Sequence, residues 1–222
     1  MIEFSGVCVV KNGVPVLKDI NVRLAQRRIG MIGRNGSGKS TFARLFNGIE
    51  IPTSGEVRLN GNPDRKALRR HIGFVFQNPD NQIVYPIVSE DLAFGLKRLK
   101  LSKAELSARI NEILGRFGLD NLRDRLTHQL SGGEKQMIAL AGVLVMKPRM
   151  IVLDEPTTLL DLWNKCKFVS MLHDLEQDIV VVSHDLDLMN SFERVLHVEN
   201  GSIVGDGDPT TVIADYVAKS QC

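Results

Sequence analysis

The chain has 222 residues, 43% hydrophobic and 24% charged, with a formal net charge of +2. Those values fit one globular domain with room for an inserted subdomain, and they exclude a wholly disordered chain. The charge is too small to indicate a nucleic-acid partner, so clusters of Lys and Arg are weighed one at a time.

Three cysteines, Cys8, Cys166 and Cys222, lack CxxC spacing. They predict free thiols in a reducing compartment, and neither a zinc site nor a disulfide framework. The start, Met1-Ile2-Glu3-Phe4, has no basic-then-apolar leader, and the longest apolar run, Met137 to Met146, is too short for the ~20 residues of a membrane span. Work at a membrane is therefore expected to go through docking onto another protein.

Residues 1 to 25 alternate apolar and polar around Asn12-Gly13, the pattern of an antiparallel pair. The short apolar stretch Ile29-Gly30-Met31-Ile32 runs into a glycine-rich loop, and Thr41 to Phe46 predicts a helix that stops at Asn47-Gly48. Gly55 to Gly61 predicts a short strand closed by turns. Ile72 to Phe76, almost continuously apolar, predicts a strand in the middle of a sheet.

From about Ile87 to Val145 the period turns helical. Ser102-Lys103-Ala104-Glu105 has the form of a capping box, and Leu106, Ile110, Ile113, Leu114 and Phe117 follow at helical spacing up to Gly118. Strands return at Met150 to Leu153, Ile179 to Val182 and Val195 to Val198. Strands alternating with helices predict an α/β fold with a parallel sheet core, preceded by an antiparallel β subdomain and interrupted by an all-helical insertion. The expected division is one domain over 1–222, with an α/β lobe at about 1–86 and 146–222 and a helical lobe at about 87–145.

Gly33-Arg34-Asn35-Gly36-Ser37-Gly38-Lys39-Ser40-Thr41 fits G-x-x-x-x-G-K-S/T between a predicted strand and a predicted helix. Its glycines allow backbone amides to turn inward as a phosphate cradle, and the following helix adds the positive end of its dipole. Lys39 can reach β- and γ-phosphates, and the Ser40 hydroxyl can ligate Mg²⁺. Asp154 and Glu155 end a buried strand, where ligands sit in an open α/β sheet. By position Asp154 can hold Mg²⁺, and Glu155 can polarise a water attacking the γ-phosphate. Alone, the pair reads rather as an acidic helix cap; the phosphate loop upstream reverses that preference. Ser131-Gly132-Gly133-Glu134 is a second amide nest opening a helix and is itself a capping box.

The string Leu130 to Gln136 ahead of Asp154-Glu155, with the phosphate loop upstream, resembles the signature of the ATP-binding-cassette family, a likeness that runs along essentially the whole chain. The resemblance implies a P-loop NTPase core and an ATPase that drives a membrane partner. It also implies two subunits facing head to tail, each Ser131 turn binding the γ-phosphate held by the other's loop. It assigns Gln77 to the glutamine loop that senses Mg²⁺ and water, Asp161 to the loop crossing the dimer interface, and His184 to the switch histidine on the γ-phosphate. At the aromatic position that stacks on adenine this sequence has Val10, so stacking there is lost. The interface loop has Thr158-Leu159 and the phosphate-loop strand is preceded by Gln26-Arg27, departures that remove no catalytic group.

Phe76-Gln77-Asn78-Pro79-Asp80-Asn81-Gln82-Ile83 resembles the energy-coupling-factor branch, importers of vitamins or transition-metal ions. That resemblance implies a second ATPase subunit, with a homodimer expected, a transmembrane coupling protein gripped beside the glutamine loop, a small membrane substrate-capture protein and a place at the cytoplasmic face of the membrane. No nucleic-acid partner is expected. A chain stopping soon after Tyr216 leaves no room for an added C-terminal domain, which points to a dedicated system for biotin, cobalt or nickel, biotin first. The basic stretches Arg65-Lys66 with Arg69-Arg70, and Lys97-Arg98 with Lys100 and Lys103, are read as solvated faces, the second with a possible contact to the coupling protein or membrane surface. His71, His128, His173 and His197 show no ligand spacing. Two alternatives stay open: a soluble cassette acting on nucleic acid or ribosomes, and a nucleotide switch without turnover.

Overall fold

Asn12-Gly13 turns the chain back as expected: β1 (Ile2–Lys11) and β2 (Val14–Leu24) pair antiparallel from Lys11↔Val14, and both turn residues have positive φ. That geometry matches the right-handed strand twist and suits Asn and Gly. The computed structural model describes residues 1–220, so the thiol expected at Cys222 lies outside it, while Cys8 and Cys166 are free.

β3 (Arg28–Ile32), α1 (Lys39–Phe46) and β4 (Ser54–Leu59) follow, and β4 adds to β1 to give an antiparallel sheet in the order β2-β1-β4. Phe4 of β1 meets Phe42 and Phe46 of α1 at ring-centroid distances of 4.9 Å each, which fastens this sheet to the helix behind the loop. Next come α2 (Arg65–His71), capped by Asp64, and β5 (Ile72–Val75). The helical stretch contains α3 (Val88–Leu96), α4 (Lys103–Arg116), with the capping box of Ser102 and Glu105 formed, and α5 (Gly132–Leu144). Then β6 (Met150–Asp154), α6 (Leu162–His173), β7 (Asp178–Val182), α7 (Leu186–Asn190), β8 (Arg194–Glu199), β9 (Ser202–Gly207) and α8 (Pro209–Ser220) complete the chain.

The second sheet has the order β5-β6-β7-β3-β8-β9. β3 pairs parallel with β7 and β8, β6 pairs parallel with β7, and β9 returns antiparallel on β8. The expected α/β fold with a parallel core and an antiparallel subdomain is present. One expectation is corrected: the apolar run at Ile72 lies on an edge strand. All four residues of β5 are buried, and such a run reports that both faces are covered, whatever the strand's place in the order.

The chain forms two compact units. One holds Met1–Phe74, Arg149–Glu155 and the residues from Gln177 onward; the other holds Val75–Pro148 and Pro156–Glu176. The helical unit therefore takes in more than the stretch 87–145 read from periodicity. Residues 156–176 join it because α6 packs on α5, where Gly133 leaves the room that Asn164 fills: a Cβ on Gly133 would lie 2.7 Å from the Asn164 side chain.

Candidate functional site

The phosphate loop is held from below by the sheet. β3 leads into Gly33 at φ 146°, and a Cβ there would sit 2.1 Å from the Val198 carbonyl oxygen on β8, so only glycine lets the chain leave the strand this close to its neighbour. The Gly201 amide, in the turn between β8 and β9, donates to the Ser37 carbonyl at 3.0 Å, and the Ser37 amide donates to the Arg34 carbonyl at 3.2 Å. Gly38, at φ 105°, caps α1 without a side-chain hydrogen bond, which leaves the first-turn amides of that helix to an anion. Arg34, Asn35 and Gly36 form an exposed rim, whereas Ser37, Lys39 and Thr41 are buried. Lys39 Nζ donates to the carbonyls of Gly33 and Arg34 at 2.7 and 2.9 Å. Burial lowers its proton affinity, against the opposing pull of Glu155 and Asp154.

β6 delivers the two carboxylates beside this loop. Asp154 is only 1% exposed and accepts a hydrogen bond from Ser40 Oγ at 2.9 Å, with Arg44 at 3.9 Å from its other oxygen. Burial raises its pKa, and the Ser40 bond, Arg44 and Lys39 oppose the rise. Glu155 adopts a left-handed backbone at φ 49°, and its amide donates to the Val182 carbonyl of β7 at 2.8 Å. Non-glycine residues seldom hold that conformation, and here it turns the side chain's backbone away from the strand direction just where the strand ends. The Glu155 carboxylate accepts from the His184 amide at 3.4 Å and lies 3.1 Å from His184 Nε2, which is also 2.9 Å from Asn35 Oδ1. Both neighbours of Nε2 are oxygens, an arrangement that suits the tautomer with its proton on Nε2. Asn35, read from sequence only as a cradle residue, thus links the loop rim through His184 to Glu155.

Gly33 to Thr41, Asp154, Glu155 and His184 are all in the first unit. Gln77, Ser131, Gly132, Gly133 and Asp161 are in the second. There Ser131 caps α5 in the expected box: its hydroxyl accepts from the Glu134 amide at 3.3 Å, and the Glu134 carboxylate accepts from the Ser131 amide at 2.8 Å. Asp161 caps α6, accepting from the Asn164 amide at 2.8 Å and from Asn164 Nδ2 at 3.0 Å. Asn164, which no motif singles out, therefore joins the Asp161 turn to the Gly133 turn. Gln77 is exposed just beyond β5.

The site suits a triphosphate with a hard divalent cation. The Ser37 hydroxyl is buried and has no hydrogen-bond partner among the described residues, as a group awaiting a phosphate oxygen would be. Among the described residues, no group of three or more His, Cys, Asp or Glu side chains could hold a metal alone. One hydroxyl and one carboxylate, Ser40 and Asp154, match a cation whose other ligands are phosphate oxygens and water.

A family model described as "ABC transporter" matches residues 17–158, which span the phosphate loop, the Ser131 turn and both carboxylates. The chain belongs to the ABC transporter family. It binds ATP and is an ATPase that powers transport. A putative ABC transporter ATP-binding protein of Bartonella henselae is 50% identical over 99% of this chain and 98% of its own length. The biotin transport ATP-binding protein BioM of Rhizobium etli is 45% identical over 97% of each chain, and the energy-coupling factor transporter ATP-binding protein EcfA of Methanocaldococcus jannaschii is 41% identical over 92% of this chain and 77% of its own. The Methanocaldococcus relative is thus named for the energy-coupling-factor branch that Phe76 to Ile83 resembles. Among solved structures, cbiO1 of Clostridium perfringens, described as part of the ABC transporter complex cbiONQ, superposes with a TM-score of 0.86 at 33% identity, covering 99% of this chain and 93% of that one. The dimeric ABC transporter cassette MJ0796 gives 0.83 at 28% identity, covering 94% and 99%. No helix among the described residues is long and apolar enough to cross a membrane.

Proposed function

We propose that this chain is the ATP-hydrolysing subunit of an energy-coupling-factor importer for a vitamin or transition-metal ion, with biotin as the first cargo to test. The identity to BioM over nearly the full length of both chains supports biotin, although an ATPase need not touch the cargo itself. The subunit works as one of a pair, at the cytoplasmic face of the membrane, bound to a transmembrane coupling protein that works with a small substrate-capture protein. A dimeric relative and a relative from a multi-protein transporter complex support the pairing and the membrane partner. So do Leu162 and Trp163, apolar residues directly after Asp161 that are 76% and 72% exposed.

Catalysis follows from placement and electrostatics. The loop amides from Gly33 to Thr41 and Lys39 hold the β- and γ-phosphates, and the Ser131–Gly133 nest of the facing subunit completes the γ-phosphate site. Bound Mg²⁺ would neutralise phosphate charge, with Ser40 and Asp154 as its protein contacts and Gln77 as the residue that senses it. Glu155 accepts the proton of the attacking water as the bond from the γ-phosphorus to the ADP oxygen breaks. His184, oriented by Asn35 and Glu155, donates from Nε2 toward the γ-phosphate oxygens. Asp161 shapes the turn that faces the partner. Closure of the pair reorients the membrane partner, and hydrolysis resets it.

The observation that carries this reading is the convergence of Ser40, Asp154, Glu155, His184 and Asn35 around one loop within a single compact unit. Replacing Glu155 by Gln in the assembled transporter should lower ATP turnover by about a hundredfold or more while nucleotide still binds. Turnover at the parental rate would remove Glu155 from its role.

A further inference from the structure

Directly after Gln77, outside every motif that binds phosphate, the chain builds a second set of contacts. Residues Asn78 to Gln82 close into a tight turn: the Asn78 side chain accepts from the Asp80 amide at 2.9 Å, and the Pro79 carbonyl accepts from the amides of Gln82 and Ile83, each at 2.9 Å. Two side chains of that turn then reach α5. Gln82 Nε2 donates to the Ala139 carbonyl at 2.6 Å, and Asp80 accepts from Lys135 Nζ at 2.7 Å. Lys135 and Ala139 are one helical turn apart, so both contacts fall on the same face of α5. The other end of the Gln82 amide, Oε1, accepts from the Phe76 backbone amide at 3.2 Å.

Gln82 is thus a two-ended clamp. It holds the backbone just before Gln77, while the turn it belongs to holds the backbone just after. Both anchors lie on the helix whose first turn is capped by Ser131. We infer that Gln82, assisted by the Asp80–Lys135 pair, is a positioning residue that fixes the Gln77 loop to the Ser131 helix, so that the two nucleotide-sensing elements of this unit move as one. The chemistry selects the residue type. A side-chain amide accepts at one end and donates at the other, and Asn is one methylene too short to span the same gap. This inference rests on the role proposed above for Gln77, and it extends that role to the run Asp80-Asn81-Gln82, which lies outside the phosphate-binding motifs.

Two substitutions separate the ends of the clamp. Gln82→Met keeps the volume and loses both bonds. Gln82→Glu can still accept from Phe76 but sets an oxygen against the Ala139 carbonyl. The test measures ATP turnover by the assembled transporter for the parent, Gln82→Met, Gln82→Glu, Gln77→Ala and Gln77→Ala/Gln82→Met. Both Gln82 variants should lower kcat by about tenfold or more, with KM changed less than about threefold, because the loss is one of alignment. In the Gln77→Ala background, Gln82→Met should add less than about a twofold loss, since what it positioned is gone. Hydrogen exchange at the Phe76 amide should quicken in Gln82→Met and stay near parental in Gln82→Glu. Charge reversal supplies an independent arm: Asp80→Lys and Lys135→Asp should each lower turnover, and the double variant should recover most of it. An equal loss from Gln82→Met with and without Gln77, parental turnover in Gln82→Met, or no recovery in the double reversal would overturn the inference. If Gln77→Ala alone hydrolyses ATP at the parental rate, the role of Gln77 falls and this inference with it. A Gln77→Ala loss to which Gln82→Met simply multiplies sinks the positioning role alone.

Discussion

Replacing Gly33 by alanine tests whether the sheet dictates the shape of the phosphate loop. The new Cβ would sit 2.1 Å from the Val198 carbonyl oxygen, against a closest approach of 3.0 Å that real Cβ atoms essentially never breach. That oxygen belongs to β8, which is laddered to β3 through Ile29↔Arg194 to Ile32↔His197, so relief requires moving one strand against the other. The backbone adds its own penalty at φ 146°. Strain of about 1–2 kcal/mol from the dihedral and about 1–3 kcal/mol from overpacking gives a destabilisation of about 2–5 kcal/mol, a large part of the 5–15 kcal/mol typical of a domain. Gly36 is the internal control: its φ is 78°, but nothing lies within 4 Å of a Cβ there, so Gly36→Ala should lose only about 1 kcal/mol. Urea unfolding of the purified subunit, followed by far-UV circular dichroism, measures both. Equal midpoints for the two variants, or a larger loss for Gly36→Ala, would refute the claim that contact with β8 sets the loop.

Three further substitutions test separate parts of the site and its support. Asp154→Asn carries a sign that follows from burial. The folded state raises this carboxyl above its ordinary value of 3.8, so the stability it contributes is complete below the unfolded pKa and is lost as pH rises through the folded one. The variant should therefore gain unfolding free energy relative to the parent as pH rises above about 4, while ATP turnover collapses; a pH-independent difference would contradict the sign. Arg194 holds Asp206 with two bonds of 2.6 and 2.7 Å and also donates to the Arg23 carbonyl at 2.8 Å, tying β8 and β9 to the end of β2. Arg194→Ala should destabilise the protein by about 1–3 kcal/mol without changing the KM for ATP, as read by thermal unfolding and steady-state kinetics. Val10 is exposed on β1 at the position where the family resemblance expects an aromatic ring. Val10→Tyr should tighten ATP binding by about three- to tenfold and sharpen preference for ATP over GTP; unchanged affinity would show that adenine is held elsewhere.

The parts of this molecule that are local in sequence could be read from it. Asn12-Gly13 gave its hairpin, and the Ser102 and Ser131 capping boxes form with both reciprocal bonds, because each depends on residues within four positions. Asn200-Gly201 carries the same hairpin signal, with both residues at positive φ, but leads into a strand that no apolar alternation marks. The strand it opens, β9, has only Ile203 and Val204 as large apolar residues, too few for an alternation to register. Non-local relations were out of reach. The edge position of β5 depends on which strands it meets, and the membership of α6 in the helical unit depends on Asn164 fitting against Gly133. Likewise the Asn35–His184–Glu155 chain joins residues that the sequence separates by 149 and 29 positions. The motifs named which residues to watch; only the fold shows which of them touch.

A mixed pair decides most directly whether each ATP is held by two subunits. The complex would contain one Lys39→Ala subunit and one Ser131→Arg subunit, with hydrolysis blocked by vanadate so that bound nucleotide stays trapped. If the loop of each chain faces the Ser131 turn of the other, one composite site carries both lesions and the other is intact, so one nucleotide is trapped per pair. If loop and turn of the same chain form a site, both sites are damaged, and trapping no better than in pairs carrying either substitution twice would contradict the shared site.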